Sequence, residues 1–311
     1  MAIQIQKAQR KQSKLRIGLS APSGAGKTYS GLLLAKGLVG EWEKIGLIDS
    51  ETGRAHLYSD LGEYNIIPMR PPYTPESYIE AIRAFEDAGV EVIIVDSMSH
   101  EWDGEGGCLQ LNEKLAVAKY KGNTWSAWSE TTPRHQHLLD VITSSSCHVI
   151  TTVRNKVETE FIDGKVKKIG TKEIQREGFE YELTVNFTID RDSHAVMASK
   201  DNTNLFEGKD PFVITEETGK MLRQWVLSGA ADETAEEKKL LRAKIKEQVT
   251  SLKKDMLWLE KAVGIVNNMS VQELQKVIKQ LDATIEKNKP KVDPVTDALK
   301  TSADKHITPT V

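Results

Sequence analysis

Short, almost wholly apolar runs alternate along the first 150 residues with stretches whose apolar positions recur every three or four. The short runs are LRIGLS (15–20), KIGLID (44–49), NIIPM (65–69), VEVIIVDS (90–97) and CHVITTVR (147–154). Runs of this kind, little broken by polar positions, predict strands buried on both faces. Between them YSGLLLAKGLV, PESYIEAIRAFEDAG (75–89) and TTPRHQHLLDVITSS (131–145) carry the helical period. In the second, Pro75 suits a first turn, and Tyr78, Ile79, Ile82 and Phe85 fall on one face. In the third, Thr132 is the expected cap and Pro133 the first helical residue. Strands alternating with helices predict an α/β fold, a mostly parallel sheet between helices.

Residues 155–178 break the rhythm. The segment is polar and basic, and its Asp163-Gly164 pair is a tight-turn signal. LTVNFTID (183–190) and HAVMASK (194–200) then predict two antiparallel strands, and TEETGKMLRQWVL (215–227) a closing helix. After Ala230, apolar and charged residues alternate at helical spacing to about residue 286, with caps expected at Thr234 and Ser270. The expected organisation is a basic N-terminal arm (1–13), a core (14–228), a small helical appendage (229–288) and a polar, proline-spaced tail (289–311) expected to be disordered.

Net charge is only −3, so no global field draws the chain onto nucleic acid. Two segments are locally basic. Residues 1–16 carry Lys7, Arg10, Lys11, Lys14 and Arg16 and no acid, and read as a solvated arm. Residues 154–176 carry Arg154, Lys156, Lys165, Lys167, Lys168, Lys172 and Arg176 against four acids. No apolar run approaches membrane-spanning length, and the N-terminus lacks the apolar core of a secretory signal. Cys108 and Cys147 form no CxxC pattern, which fits reduced thiols in a cytosol.

APSGAGKT (21–28) lies between an expected strand and helix and matches the phosphate-binding loop, with Ala21 where glycine is usual. Backbone N–H groups from Pro22, Ser23, Gly24, Ala25, Gly26 and the helix start through Tyr29 form the expected cradle, less the N–H that proline lacks. Lys27 is expected to reach the β- and γ-phosphates and Thr28 to ligate Mg²⁺. Asp96, at the tip of VIIVD, is the expected second acid of the metal site. Asp49 and Glu51 end the strand after the loop helix, and in a parallel sheet all such tips face one crevice. Glu51 is therefore preferred as the general base; Glu101, in the turn-rich SHEWDGEGG (99–107), is its rival.

GLSAPSGAGKT, GLIDSE, VIIVDS and HVITTVR come in the order and rough spacing of the RecA-type ATPase core, which the chain resembles. More closely, IDSETGRA, VDSMSHEW, NTWSAWSETTPRH and IQREGFEYE are similar to phage-encoded AAA-type ATPases, including the RecA-like single-strand annealing proteins of the Sak group. The resemblance covers about residues 14–228. It implies a RecA-like P-loop NTPase fold, ATP and Mg²⁺ as cofactors, Glu51 as the catalytic glutamate, Tyr58 on the adenine and Lys200 as a finger reaching a neighbouring subunit's ATP. It also implies that the segment after VITTVR is a DNA-binding loop. The implied function is ATP-dependent binding of single-stranded DNA and annealing in phage recombination, by a ring or filament in the cytoplasm of a bacterial host. A single-strand-binding protein is an expected further partner. Thr152 stands where recombinases have a glutamine, and QREG (175–178) replaces their Gly-Gly pair; these departures touch strand exchange more than ATP binding. Two alternatives stay open: an annealing module with ATP as a structural ligand, and a P-loop enzyme with no DNA role.

Trp125 and Trp128, three apart, read as packing against the sheet, with a subunit contact or a base-stacking platform as the sharper alternative. Phe161 is a candidate for stacking on a base. His135 and His137 are two apart on an expected helix, which argues against a metal site, and no cysteine or acid beside them completes one.

Overall fold

The computed structural model describes residues 10–162, 165–230, 237, 240–245, 247–248 and 271–288. The chain divides into two compact units, Met1–Ala230 and Ala231–Val311. The first contains β1 (Arg16–Ala21), α1 (Lys27–Val39), β2 (Ile45–Asp49), β3 (Asn65–Pro68), α2 (Pro75–Ala88), β4 (Val92–Asp96), α3 (Met98–Asp103), α4 (Cys108–Lys119) and α5 (Thr124–Ser144). It continues through β5 (His148–Ile162), β6 (Lys165–Glu173), β7 (Val185–Ile189), β8 (Ala195–Asp201), β9 (Phe212–Val213) and α6 (Glu216–Leu227). The sheet order is β3-β2-β4-β5-β1-β7-β8-β9, with β6 paired to β5. From β3 to β7 every pairing is parallel; β8 and β9 are antiparallel. The C-terminal tips of β1, β2, β4, β5 and β7 therefore share one edge.

Alternation along the strands divides the core between the two sheet faces. Ile17, Leu19, Val92, Ile94 and Ile150 join α1 and α6 residues such as Leu34 and Leu222 on one side. Ile93, Val95 and Val149 join Tyr78, Ile82 and Phe85 of α2 and Leu138 of α5 on the other. α1 and α6 cross so closely that a Cβ on Gly37 would sit 2.0 Å from the Glu216 carbonyl, and one on Gly219 would sit 2.3 Å from that of Leu34.

Three expectations need correction. The long helix α5 starts at Thr124, where the Asn123 side chain accepts from the Ser126 N–H, and Pro133 lies inside it rather than at its first position. The buried face Ala127, Thr131, His135, Leu138 and Ile142 runs through the proline, and its packing outweighs the hydrogen bond that proline removes. Arg16 belongs to no basic patch. Its buried guanidinium donates to the carbonyls of Leu15, Thr143, Ser145 and Cys147, and burial lowers it to about 10. Residues 10–12 are not a free arm either: the Gln12 N–H donates to the Ala230 carbonyl, and the Ala230 N–H to that of Arg10.

β5 runs past Arg154 to Ile162 and folds back as β6, so the basic segment is an antiparallel hairpin. Its Asp163-Gly164 turn, the caps expected at Thr234 and Ser270, the 289–311 tail and residues 1–9 lie outside the described residues. In the second unit α7 (Val271–Asn288) buries Leu274 and Ile278 with Ile245. Among the described residues no helix is long and apolar enough to cross a membrane.

Candidate functional site

The loop 22–26 connects the tip of β1 to α1. Gly24 (φ 82°) and Gly26 (φ 88°) are left-handed, a conformation that side chains resist and that turns successive N–H groups inward. A Cβ on Gly24 would meet nothing within 4 Å, so the loop's outer face is open; at Ala25 the carbonyl lies 3.2 Å from His194 Nδ1. Lys27 is buried, and its ammonium donates to the Ala21 and Pro22 carbonyls at 3.0 and 2.9 Å. Burial lowers its pKa, with Asp96 and Glu51 pulling the other way.

Asp96 ends β4 two strands from β1, and β5 lies between them. Its carboxylate accepts from Thr28 Oγ1 at 2.5 Å across the top of the sheet and from Thr152 Oγ1 of β5, also at 2.5 Å. Burial raises its pKa against the pull of those two hydroxyls. Thr28 and Asp96 thus present hard oxygen donors beside a loop built for phosphate. The expected ATP and Mg²⁺ fit this donor set: N–H groups and one ammonium for phosphates, oxygens for the cation.

The two acids at the tip of β2 have separate roles. Asp49 Oδ1 accepts from the Glu51 N–H at 2.8 Å and Oδ2 from the Ala55 N–H at 3.1 Å, so Asp49 ties down the turn that follows. That turn aims Glu51 back over the sheet edge. There Arg154 grips it with both arms of its guanidinium, Nε to Oε1 at 2.7 Å and Nη2 to Oε2 at 2.5 Å. Ser97 Oγ adds 3.3 Å and Arg54 a looser 3.4 Å ion pair. Burial alone would raise the Glu51 carboxyl; the Arg154 hydrogen bonds and charge outweigh it, and the pKa is lowered. The same contact raises Arg154. Ser50 Oγ bonds His100 Nδ1 at 2.8 Å, and burial, then Arg154, lowers the His100 pKa.

Glu101 is not at this site. It is fully buried on α3, where Oε1 meets His135 Nδ1 at 2.9 Å and Cys108 Sγ at 3.0 Å. A cysteine and an acid do stand beside His135, contrary to the expectation from sequence: Cys108 and Glu101 come from α4 and α3 to meet it. Their ligand-type atoms lie within 4.8 Å of one another. Burial, then Glu101, pushes the Cys108 thiol up, so it stays protonated and donates. Hydrogen bonds through the Glu101 carboxylate tie α3, α4 and α5 together, and His135 Nε2 is left buried without a partner.

Other expected residues are distributed as follows. Tyr58 lies beside Tyr29 of α1, ring centroids 5.9 Å apart. Lys200 pairs in register with Asn186, level with Gly18 and below the strand tips, and its amine donates to the Glu180 and Tyr181 carbonyls. With Lys172, Arg176, Glu173 and Glu177 it lines a cleft of about 510 Å³ of mixed charge. Lys165, Lys167 and Lys168 lie on β6 opposite Ile162, Glu160 and Thr159; their side chains, like that of Phe161, are outside the described residues. Lys156 and Lys172 are exposed and directly opposite each other. Neither tryptophan packs as expected against the sheet: Trp128 stacks on Trp102 of helix α3, and Trp125 is exposed.

Arg154, expected on DNA, instead pairs with Glu51. The alternation in TTVRNK carried a signal: Thr152, Arg154 and Lys156 share a strand face, the one turned toward the tips of β4 and β2.

The family model described as AAA domain matches residues 13–212, which holds every element from β1 to the start of β9. No curated protein matches the chain.

Proposed function

The chain belongs to the AAA domain family, and on that premise we propose that it hydrolyses ATP at the strand tips while its β5–β6 hairpin holds single-stranded DNA, promoting strand annealing in phage recombination. The family makes it a nucleotide-binding ATPase domain; the DNA role is our reading. What carries it is one juxtaposition: Lys27, Thr28, Glu51 and Asp96 meet at the edge from which the basic hairpin rises.

Lys27 and the loop N–H groups hold the triphosphate. Thr28 and Asp96 hold the metal, which when bound offsets charge building on the phosphates. Glu51 orients and deprotonates the attacking water once its carboxylate is free of Arg154. Lys156 and Lys172 neutralise DNA phosphates without reading bases, so affinity falls steeply with salt. The same reading assigns a ring or filament in which Lys200 reaches a neighbour's nucleotide. That role requires its contacts to Glu180 and Tyr181 to break.

The test is annealing of complementary strands with and without ATP, by the wild type and Lys27→Ala. We expect DNA-stimulated phosphate release and annealing in the wild type. In Lys27→Ala, ATP affinity should fall roughly 100-fold, the weight of one buried charge-assisted contact, and turnover with it. Annealing that needs bound ATP but no turnover would make ATP a structural ligand. No strand binding at low salt would leave a P-loop enzyme without a DNA role.

A further inference from the structure

The nucleotide chemistry makes no use of the polar trio where α3, α4 and α5 meet. The turn DGEGG (103–107) brings that trio together. Gly106 is left-handed (φ 76°), and a Cβ on Gly107 would lie 2.6 Å from the Glu101 carbonyl, so α4 starts hard against α3. Cys108, the first residue of α4, therefore meets Glu101 Oε1 at 3.0 Å. His135 comes from the buried face of α5 and meets the same oxygen at 2.9 Å. Glu101 and Cys108 are 0% exposed and His135 1%. Among the described residues this is the one place where a thiol, an imidazole and a carboxylate converge with metal-ligand spacing.

Hydrogen bonds alone leave this junction unbalanced. Among the described residues the ion-pair partner of Glu101 is His135, and no lysine or arginine pairs with it. A buried carboxylate without a cation is costly. With a neutral imidazole the charge has no counterion, and Nε2 is a buried acceptor without a donor. With an imidazolium the charge is met, but the Nε2–H is a buried donor without an acceptor. A divalent cation removes the conflict, because a thiolate and a carboxylate together cancel its charge. With Nδ1 on the ion, Nε2 carries the hydrogen beside the Trp102 ring, centroids 5.5 Å apart. An N–H against an aromatic ring gains a weak bond that a lone pair does not. Glu101 Oε2 is loosely engaged: Gln175 Nε2 lies 3.4 Å away and donates to the Met98 carbonyl at 2.9 Å. Sulfur, imidazole nitrogen and both carboxylate oxygens supply the donor number and type that zinc takes.

We propose that Glu101, Cys108 and His135 bind a structural zinc ion, Cys108 as thiolate, His135 through Nδ1 and Glu101 through both oxygens. Binding releases the Cys108 proton, and the imidazolium proton as well wherever His135 is charged. The protein fills every position on the ion, and the site is sealed, so the ion holds helices together and activates no water. It enters while α3, α4 and α5 dock, and its binding energy adds to folding. Thr28 and Asp96 offer only hydroxyl and carboxylate oxygens, which suit magnesium, so the two sites select different ions.

Metal content and cobalt spectroscopy test it. The full chain, made in zinc-supplemented medium and purified without chelator, should carry about one zinc ion per chain by elemental analysis. Made with cobalt in place of zinc, it should show the near-ultraviolet sulfur-to-cobalt charge transfer of a thiolate ligand. The chain has two cysteines, so Cys147→Ala leaves Cys108 as the sole sulfur of that type, and the band should remain at full strength. Cys108→Ser should lose it. His135→Cys should keep the ion and strengthen the band, because a second thiolate replaces the imidazole. A wild type free of both metals overturns the site. So does a cobalt-loaded wild type without the band, which would put the ion on oxygen ligands such as Thr28 and Asp96. Loss of the band in folded Cys147→Ala, or its survival in Cys108→Ser, overturns it equally. Should Cys108→Ser fail to fold, the wild type and Cys147→Ala decide the matter alone.

Discussion

Asp96 and Glu101 are both buried carboxylates, five residues apart, and they belong to different chemistries. Asp96 ends a strand and meets hydroxyls from Thr28 and Thr152 beside an open loop. Glu101 starts a helix turn later and meets His135, Cys108 and Gln175 in a sealed junction. The first cluster keeps its ionisable groups at the edge where a ligand can reach them. The second spends its polar atoms on holding α3 to α4 and α5. Burial and a nearby charge therefore do not mark a functional acid; what the carboxylate faces does.

That contrast can be broken first at Glu101. Glu101→Ala leaves His135, Cys108 and Gln175 without their shared acceptor, and should cost about 3 kcal/mol of stability. Thermal unfolding measures it, and turnover per folded molecule should stay near that of the wild type. A stable variant with lost turnover would move Glu101 into the active site.

A smaller effect sharpens the same distinction at the sheet's opposite edge. Buried His148 accepts from the Leu15 N–H through Nδ1, and burial, with Lys14 and Arg16 near, lowers it to about 3. It must stay neutral to fold. The unfolded chain binds that proton near pH 6.5, so the stability is complete above pH 6.5 and is lost as pH falls toward the folded value. Denaturant unfolding should show about 2 kcal/mol less stability at pH 5 than at pH 8. His148→Asn should flatten that slope.

How much of this was legible depended on range. Lys27, Thr28 and Asp96 could be read because a strand–loop–helix and an apolar strand ending in an acid are local patterns. The strand order placing β5 between β1 and β4 was not readable, and with it went Thr152 and Arg154, which act on residues 56 and 103 positions away. Glu101 looked like a rival base because its position near Asp96 was visible, whereas the helix α3 that turns it inward was hidden in a turn-rich stretch. Pro133 suggested a helix start because proline's local preference is stronger than the period of the buried face, which decided the outcome.

ATP turnover at this site should depend on the Glu51 carboxylate. Single-turnover hydrolysis by Glu51→Gln beside Glu101→Gln, both saturated with Mg·ATP, tests it most directly. Glu51→Gln should retain ATP and slow at least about 100-fold, the span of a lost general base, while Glu101→Gln stays within about threefold per folded molecule. The reverse order, or two equal rates, would contradict the account.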